Sequence, residues 1–269
     1  MSDYWDERAK KEYEYKGEKF YTITAIPYYY KRRKYVVNSL LKTIKLHSCE
    51  KICDMGCGDG EYIKLLSEKT QKKSYTGIDA SMEMIEVAKR RNASISGENI
   101  VKYYVSSTGI KNAEKFDMIY MIAVCAHLTN EVLENLVENA FAHLKSGGVF
   151  VIFEQTAPFE YGGKGYRRRT CEQYCTLINN AGLKTENIKI VDFWLHRLLL
   201  EKHLIKWICK QKADISSDDV RINLNTKWWY RRLSELLSFL SIPHVFNGVT
   251  KNSCNNRWGY CLVKARKEE

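Results

Sequence analysis

Hydrophobic and polar positions between residues 51 and 193 follow two alternating periods. Short, nearly continuous apolar runs are typical of buried parallel strands, and apolar residues three and four positions apart are typical of amphipathic helices. The predicted strands lie at 52–53, 74–79, 100–105, from Asp117, at 149–153, 183–191 and 258–265. The predicted helices lie at 28–44, from Glu61, at 82–91, 131–144 and 170–181. This order predicts a doubly wound α/β sheet.

A glycine-rich loop follows the first predicted strand. Asp54 ends that strand, and glycines stand at 56, 58 and 60. Glycine allows positive φ and brings the backbone close to a ligand that a Cβ would keep away. The helix that begins at Glu61 leaves unpaired N–H groups beside such a ligand. A dinucleotide fingerprint would need its third glycine at Glu61, so the spacing argues against a pyrophosphate-binding loop. An ordinary glycine turn is the structural alternative.

Three further segments give the loop a context. Asp79 ends the second predicted strand, where a fixed carboxylate can accept two hydrogen bonds, and Ser81 is a predicted N-cap. A Phe-Asp-x-Ile run from 116 leads to His-Leu at 127–128, and Leu-Lys-Ser-Gly-Gly-Val-Phe-Val-Ile spans 144–152. With D-x-G-x-G-x-G at 54–60, these segments resemble, in order, the motifs of the class I S-adenosylmethionine-dependent methyltransferases. The resemblance covers about 49–193 and 256–266.

The resemblance implies a Rossmann-like seven-stranded methyltransferase sheet and S-adenosyl-L-methionine as cofactor, with S-adenosyl-L-homocysteine as product and no metal. In this family the glycine loop packs against the methionine end of the cofactor, and the second acid accepts both ribose hydroxyls. The implied cofactor-binding residues are Asp54, Gly56, Cys57, Gly58, Asp79, Ala80, Met82, Ser107, Ala123 and Val124. Ser107 stands near a position where many relatives carry an acid that binds the adenine amino group, so the adenine contact departs from the family pattern.

The chain is expected to have three parts. Residues 1–48 are an N-terminal helical arm or lid, 49–196 with 256–269 are the cofactor-binding core, and 197–255 are a helical cap inserted before the last strand. The predicted helices at 194–210 and 227–240 combine leucines with Trp and Lys or Arg at their edges. This pattern suits a cap over the active site, which we favour, and also a helix on a membrane surface.

Charge is distributed unevenly along the chain. The formal net charge is +11, yet residues 49–193 hold 18 basic and 19 acidic side chains. Residues 1–48 hold 11 basic and 6 acidic side chains, and residues 194–269 hold 14 and 7. The flanking basic excess favours an anionic partner, which could be a phosphorylated molecule, a membrane surface or nucleic acid. Solvated lysines that bind nothing are the alternative.

Cysteine usage and hydropathy predict a cytoplasmic location. Nine cysteines occur without a secretory signal, and no run approaches the roughly 18–20 apolar residues of a membrane span. We therefore expect free thiols in a reducing compartment, with association to a membrane as an addition. Neither C-x3-C pair, 53/57 or 171/175, has matching Cys or His at zinc-site spacing, so no metal site is expected.

Methyl transfer needs an acceptor atom about 3 Å from the methyl carbon and, for a hydroxyl or amine, a group that removes its proton. His127, after the fourth strand, and Glu154, after the fifth, are the candidate bases. A histidine that only fixes its loop and a structural glutamate are the alternatives. The predicted acceptor-binding residues, on the first long helix and in the loop at 161–169, are Tyr30, Arg33, Tyr161, Tyr166 and Arg167. Their charge suits an anionic acceptor.

Motifs that the sequence lacks argue against several classes of methyl acceptor. The sequence has no [DN]-P-P-[YF] after the fourth strand, no Pro-Cys pair and no acid cluster for magnesium. We expect O-methylation of a sugar or another small polar acceptor, including a phosphorylated or lipid-linked glycan. The alternatives are methylation of a protein amino terminus or a small-molecule nitrogen, methylation of RNA, and a cofactor-binding scaffold without turnover. The oligomeric state is not indicated.

Overall fold

The structure of this chain is a computed structural model. It describes residues 4–7, 9–10, 27–42, 44–95, 98–163, 166–192, 199, 204, 227–230, 232–233, 236, 244–247 and 259–268. Two compact units are present. The first comprises Met1–Ala9, Val37–Val191 and Phe246–Glu269, and the second comprises Lys10–Val36 and Asp192–Val245. The predicted three-part division of the chain stays a prediction.

An α/β sheet dominates the first unit. Its strands are β1 (Lys51–Met55), β2 (Ser74–Asp79), β3 (Ile100–Val105), β4 (Phe116–Ile122), β5 (Leu144–Thr156), β8 (Leu183–Asp192), β9 (His244–Asn247) and β10 (Gly259–Lys267). They lie in the order β3-β2-β1-β4-β5-β10-β8-β9. The first five pair in parallel, and β10 runs antiparallel to both β5 and β8. The predicted doubly wound sheet with an antiparallel last strand is confirmed, and β9 adds an eighth strand to the seven that were predicted.

Helices connect the strands close to the predicted positions. They are α1 (Pro27–Lys42), α2 (Glu61–Ser67), α3 (Met82–Asn92), α4 (Asn130–His143) and α5 (Cys171–Asn180). Ser81 caps α3 by accepting a hydrogen bond from the Met84 amide, as its residue type predicts. Thr170 and Gln173 form a reciprocal capping box at the start of α5.

The core lies on both sides of the central strands. β4 and β5 are almost wholly buried, in line with their continuous apolar sequence. One large cluster joins apolar side chains of these strands to the inner faces of α4 and α5, such as Leu133, Val137 and Ile178. Every cysteine that the structure describes is a buried free thiol, namely Cys49, Cys53, Cys57, Cys125, Cys171, Cys175 and Cys261.

Three local predictions differ from the structure in part. The preceding helix ends at His143, before the predicted stop at 145–148, and the predicted strand at 149–153 lies within β5, but β5 already begins at Leu144 and has an irregular register beside Phe116 and Met118. The predicted loop at 161–169 contains a hairpin of β6 (Tyr161–Gly163) and β7 (Tyr166–Arg168), too short for periodicity to reveal. The segment at 197–255, predicted as a helical cap, also contains the short strand β9.

Most of the predicted cap lies outside the described residues. Within it, residues 228–230, 232–233 and 236 are helical. Tyr230 is fully buried, whereas Trp228 is 74% exposed and Trp229 is 47% exposed. No helix in the described part of the chain has both the length and the apolar composition to span a bilayer.

Candidate active site

The glycine loop between β1 and α2 is built from left-handed backbone. Gly56, Gly58 and Gly60 have φ values of 80°, 50° and 70°. The Gly56 and Cys57 amides donate to the Ile78 carbonyl, at 2.7 and 3.0 Å, which fixes the loop against the end of β2. A Cβ at Gly56 would lie 2.4 Å from Cγ2 of Val124, whereas a Cβ at Gly58 would meet nothing within 4 Å. The loop therefore packs on the segment after β4 and presents Gly58 to open space.

Asp79 lies at the carboxyl end of β2 and is held by two backbone amides. Its Oδ2 accepts from the Gly58 amide at 2.9 Å, and its Oδ1 accepts from the Ser81 amide at 2.9 Å. Burial raises the pKa of the Asp79 carboxyl, while these hydrogen bonds oppose the rise. A carboxylate has about four acceptor sites, so a fixed Asp79 can still accept hydrogen bonds from a ligand.

Asp54 lies beneath the same loop and is 2% exposed. Its Oδ2 has no hydrogen-bond partner among the described residues. Burial raises the pKa of the Asp54 carboxyl well above its ordinary value, against an opposing effect of the nearby Tyr120 hydroxyl, which lies outside hydrogen-bond geometry. A buried polar atom without a partner is costly. The amino group that the methionine end of S-adenosylmethionine carries would suit this oxygen, so the residues fit the cofactor that the sequence implies.

The remaining predicted cofactor residues surround this loop at different depths. Cys57 is buried, Ala80 is half-buried, and Met82 is 62% exposed at the start of α3. Ala123, with φ of 58°, and Val124 are half-buried after β4. Left-handed backbone in a residue other than glycine is strained, and such strain clusters at functional sites. Ser107 is exposed beyond the end of the edge strand β3.

His127 ends a short 3₁₀ helix, Cys125–His127, which follows β4. Its ring makes edge contacts with Trp5, at a centroid distance of 4.9 Å, and with Tyr166, at 5.7 Å. Glu154, the other candidate base, is 1% exposed. Its Oε2 accepts from the Ala126 amide at 3.2 Å, and its Oε1 accepts from the Gln155 amide at 2.7 Å. Glu154 thus contacts the backbone that carries His127.

The hairpin of β6 and β7 brings basic and aromatic side chains together. The Tyr166 hydroxyl donates to Oε1 of Gln155 at 2.7 Å and accepts from Nε of Arg168 at 2.5 Å. Arg167 forms an ion pair with Glu160 at 2.7 Å and is partly exposed.

Of the other predicted acceptor-binding residues, Tyr161 lies in this hairpin opposite Arg168, and Tyr30 and Arg33 lie on α1. Arg33 is buried on α1. Tyr30 lies on α1 and Tyr161 on β6, but the side chains of both lie outside the described residues.

Sequence reasoning missed two residues near the start of the chain. Asp6 accepts from Oγ of Ser81 at 2.5 Å and from the Glu83 amide at 3.2 Å, so it lies at the amino end of α3. Trp5, beside it, contacts His127. Residues 3–19 show no clean period, and both contacts join segments distant in sequence, so no local pattern signals them. Arg169, fully buried below the His127 turn, was also missed.

Comparisons with known proteins support the predicted protein family. Residues 53–150 match the family model described as a methyltransferase domain. Malonyl-[acyl-carrier protein] O-methyltransferase of Bacillus anthracis is 29% identical over 140 residues, which cover 50% of this chain and 50% of that protein. Phosphoethanolamine N-methyltransferase of Plasmodium falciparum is 23% identical over 202 residues, 70% of this chain and 74% of that protein.

A solved structure shows the same fold. The O-methyltransferase of a trans-AT polyketide synthase multienzyme from Brevibacillus brevis, in complex with S-adenosyl-L-homocysteine, superposes with a TM-score of 0.59 at 18% identity. The match covers 88% of this chain and 72% of that one. Against the first curated relatives the chain spans about half their length, 50% for the Bacillus anthracis protein and 42% for a trans-aconitate 2-methyltransferase of Paracidovorax citrulli.

The sheet order, the glycine loop and the family match together define a Rossmann-like methyltransferase domain. The match of residues 53–150 to a methyltransferase domain supports the predicted resemblance to the class I S-adenosylmethionine-dependent methyltransferases. Within the described ranges, no group of three or more His, Cys, Asp or Glu side chains is arranged to hold a metal ion.

Proposed function

We propose that this protein binds S-adenosyl-L-methionine at the carboxyl ends of β1, β2 and β4 and methylates a small-molecule acceptor, releasing S-adenosyl-L-homocysteine. The observation that carries the proposal is Asp79, held by the Gly58 and Ser81 amides with acceptor capacity left for a ligand. The unpartnered Oδ2 of Asp54 supports it from below the loop. The cofactor supplies, when bound, a methyl group activated by a sulfonium centre.

His127 is the proposed general base. It follows β4 at the edge of the sheet where the cofactor loop lies, and its ring is placed by Trp5 and Tyr166. Histidine has an ordinary pKa near neutrality, so it can accept a proton from an acceptor hydroxyl. Glu154 is proposed to hold the turn rather than to move the proton, because both of its oxygens accept from backbone amides.

The proposed acceptor is small, polar and anionic, with oxygen as the methylated atom. Tyr166 contacts His127, and Arg168 donates to the Tyr166 hydroxyl on the same hairpin; these two side chains suit a carboxylate or phosphate. The relatives named for malonyl-[acyl-carrier protein] and trans-aconitate act on molecules that carry carboxylates. A sugar or lipid-linked glycan stays a prediction within this class, because the cap that suggested it lies largely outside the described residues.

N-methylation is the second candidate. The relative named for phosphoethanolamine covers 70% of this chain, and that acceptor combines a phosphate with an amine. Methylation of a protein amino terminus or of RNA, and binding without turnover, remain outcomes of the test below. A cytoplasmic location stays a prediction.

Contact with an anionic membrane is a separate proposal. Trp228 and Trp229 are exposed on helical residues of the second unit, and Leu236 is 55% exposed. Residues 194–269 hold twice as many basic as acidic side chains, 14 against 7. Exposed tryptophan with flanking lysine and arginine suits the interface of an anionic bilayer.

The test combines binding with transfer. Calorimetry measures the Kd of S-adenosyl-L-methionine, and labelled methyl is followed into four pools: carboxylic acids and malonyl thioesters, phosphoethanolamine, sugar phosphates with glycolipids, and RNA with protein. Transfer to an oxygen of an anionic small molecule, lost in His127→Asn while the cofactor Kd is kept, supports the proposal. Label in an amine or in RNA promotes those alternatives. Cofactor binding with no label in any pool supports the scaffold, and absence of cofactor binding overturns the proposal.

A further inference from the structure

A buried guanidinium holds the turn that carries His127. Arg169 is 2% exposed and is among the largest fully buried side chains of the protein. Its Nη1 donates to the Cys125 carbonyl at 2.7 Å, and its Nη2 donates to the Leu128 carbonyl at 2.8 Å. Nε and Nη2 both donate to Oδ1 of Asn130, at 2.9 and 2.7 Å. One side chain therefore ties the beginning of the turn, its end and the first residue of α4.

These hydrogen bonds flank His127 on both sides. Cys125 precedes it by two residues, and Leu128 follows it directly. Between them, the Ala126 amide donates to the buried Glu154 carboxylate. The His127 amide itself donates to the Val124 carbonyl at 3.0 Å. The backbone around the imidazole is thus fixed by two buried side chains of opposite charge.

The backbone of Arg169 is anchored as firmly as its side chain. Its carbonyl accepts from the Ala157 amide at 3.3 Å and from Oγ1 of Thr156 at 3.2 Å. Arg169 also forms a β-bridge with Thr156 at the end of β5, and the capping box of α5 starts at the next residue. Arg169 therefore links the 125–128 turn to β5, one of the most buried strands of the sheet.

Burying an arginine and a glutamate at this place is expensive, because both charges leave water. Apolar side chains of similar volume often stabilise a core equally well or better. A planar guanidinium, by contrast, has five donors in a fixed fork, which a lysine ammonium cannot reproduce. These properties of Arg169 and Glu154 suit a role in placing the turn accurately better than a role in stability alone.

We propose that Arg169 is a positioning residue for His127: it fixes the 125–128 turn so that the imidazole faces the acceptor. The proposal rests on the proposed role of His127 as base. A turn released by about 1 Å would misplace the base and lower kcat by up to about 10²-fold. The cofactor loop makes none of these hydrogen bonds, so the Kd of S-adenosyl-L-methionine should stay within about twofold, well under the 1.4 kcal/mol that corresponds to tenfold.

The test uses the full chain with Arg169→Lys and a matched control, Arg266→Lys. Arg266 also donates to a backbone carbonyl, that of Gly147 at 2.8 Å, and pairs with Glu186 at 2.6 Å, but it lies where β10 meets the amino-terminal part of β5. Kinetics give kcat and KM, calorimetry gives the cofactor Kd, and NMR of labelled histidine follows the His127 ring, assigned with His127→Gln. Thermal unfolding reports the folded fraction.

The expected result is a lower kcat and a shifted His127 resonance in Arg169→Lys, with cofactor Kd kept, and no change in Arg266→Lys. A folded Arg169→Lys with unchanged kcat and an unmoved His127 resonance overturns the proposal, and so does a kcat loss that only follows the folded fraction. If the wild-type protein binds cofactor but transfers no methyl, the proposed function fails and the NMR shift alone decides whether Arg169 positions the ring.

A second variant serves if Arg169→Lys does not fold. Asn130→Ala removes the shared acceptor of Nε and Nη2 and leaves the guanidinium in place. It should move the His127 resonance in the same direction and lower kcat by a smaller factor. An unmoved resonance in this variant overturns the proposal. Free guanidinium ions added to Arg169→Ala should partly restore kcat, which a loss of folding alone would not allow.

Discussion

At the scale of single residues, Gly56 and Gly58 of the glycine loop differ in what an added methyl group would contact. Gly56→Ala places a methyl group 2.4 Å from Val124 at a φ of 80°, whereas Gly58→Ala meets no neighbour within 4 Å. The left-handed backbone costs each variant about 1–2 kcal/mol, and only Gly56→Ala adds a clash. We expect a larger fall in the free energy of unfolding for Gly56→Ala, measured by urea denaturation.

A double-mutant cycle isolates that clash. Val124→Ala removes the methyl groups that the new Cβ would strike, so it should cost less in the Gly56→Ala background than in the wild type. The same substitution in the Gly58→Ala background should be additive. Equal costs for the two glycine variants would contradict the close packing of Gly56 on Val124.

Asp79 is the residue on which cofactor affinity should depend most. Asp79→Asn keeps the shape of the side chain but replaces a charged acceptor by a neutral one. Hydrogen bonds to a charged group contribute about 1.5–3 kcal/mol, so the Kd of S-adenosyl-L-methionine should rise by roughly 10- to 100-fold. Calorimetry measures the change. Glu86→Gln, on the exposed face of α3, is the matched control, and an unchanged Kd in Asp79→Asn would remove Asp79 from the site.

At the scale of elements, the sequence predicts what depends on local pattern. Asp79 at the end of β2 and the Thr170 capping box of α5 follow from residue type and spacing, and both lie as expected. Gly147 and Gly148 suggest a break, and β5 is irregular there: Leu144 pairs with Phe116 and Val149 with Met118, while pairing with β10 begins only at Val149. The contact of Trp5 with His127 and the role of Arg169 depend on tertiary packing, which no local period encodes.

Asp117 joins three strands and should make stability depend on pH. Its Oδ2 accepts from the Glu50 and Lys51 amides at the start of β1, and its Oδ1 pairs with Lys145 of β5 at 2.7 Å. Burial alone would raise the pKa of the Asp117 carboxyl, but these partners together hold it below its ordinary value.

The sign follows from linkage. A carboxyl whose pKa is lower in the folded state stabilises the fold above its unfolded pKa, and this stability is lost as pH falls through the folded pKa. We expect Asp117→Asn to lower the free energy of unfolding at pH 7 and to flatten its decline below about pH 4. Urea denaturation across pH 7 to 3 measures both. Glu134→Gln, at an exposed position on α4, is the control. If the free energy of unfolding of Asp117→Asn fell as steeply with decreasing pH as that of this control, the prediction would be contradicted.

At the scale of the whole molecule, basic charge and exposed tryptophan belong to the flanking segments, and the methyltransferase core is nearly neutral. If the second unit contacts an anionic bilayer, the protein should sediment with phosphatidylglycerol vesicles and not with phosphatidylcholine vesicles. Trp228→Ser with Trp229→Ser should weaken this binding by about tenfold or more, because each tryptophan loses apolar burial. Salt should weaken it further.

The control for vesicle binding lies on the core. Ile100 is 58% exposed on the edge strand β3, so Ile100→Ser removes comparable apolar exposure from the neutral part of the chain. It should leave vesicle binding unchanged. Equal binding to both kinds of vesicle, or equal loss in both variants, would contradict a membrane contact at Trp228 and Trp229.

The buried thiols can report how often the segments around them open. Cys57 lies in the cofactor loop and Cys125 opens the His127 turn, and burial raises the pKa of both thiols well above their ordinary value. The thiolate is the form that attacks an alkylating reagent and displaces its leaving group, so each buried cysteine should react only while its own segment is open. S-adenosyl-L-homocysteine should slow alkylation of Cys57 more than that of Cys125, whereas Arg169→Lys should speed Cys125 alone. The two rates would then measure separately how often the glycine loop and the His127 turn open.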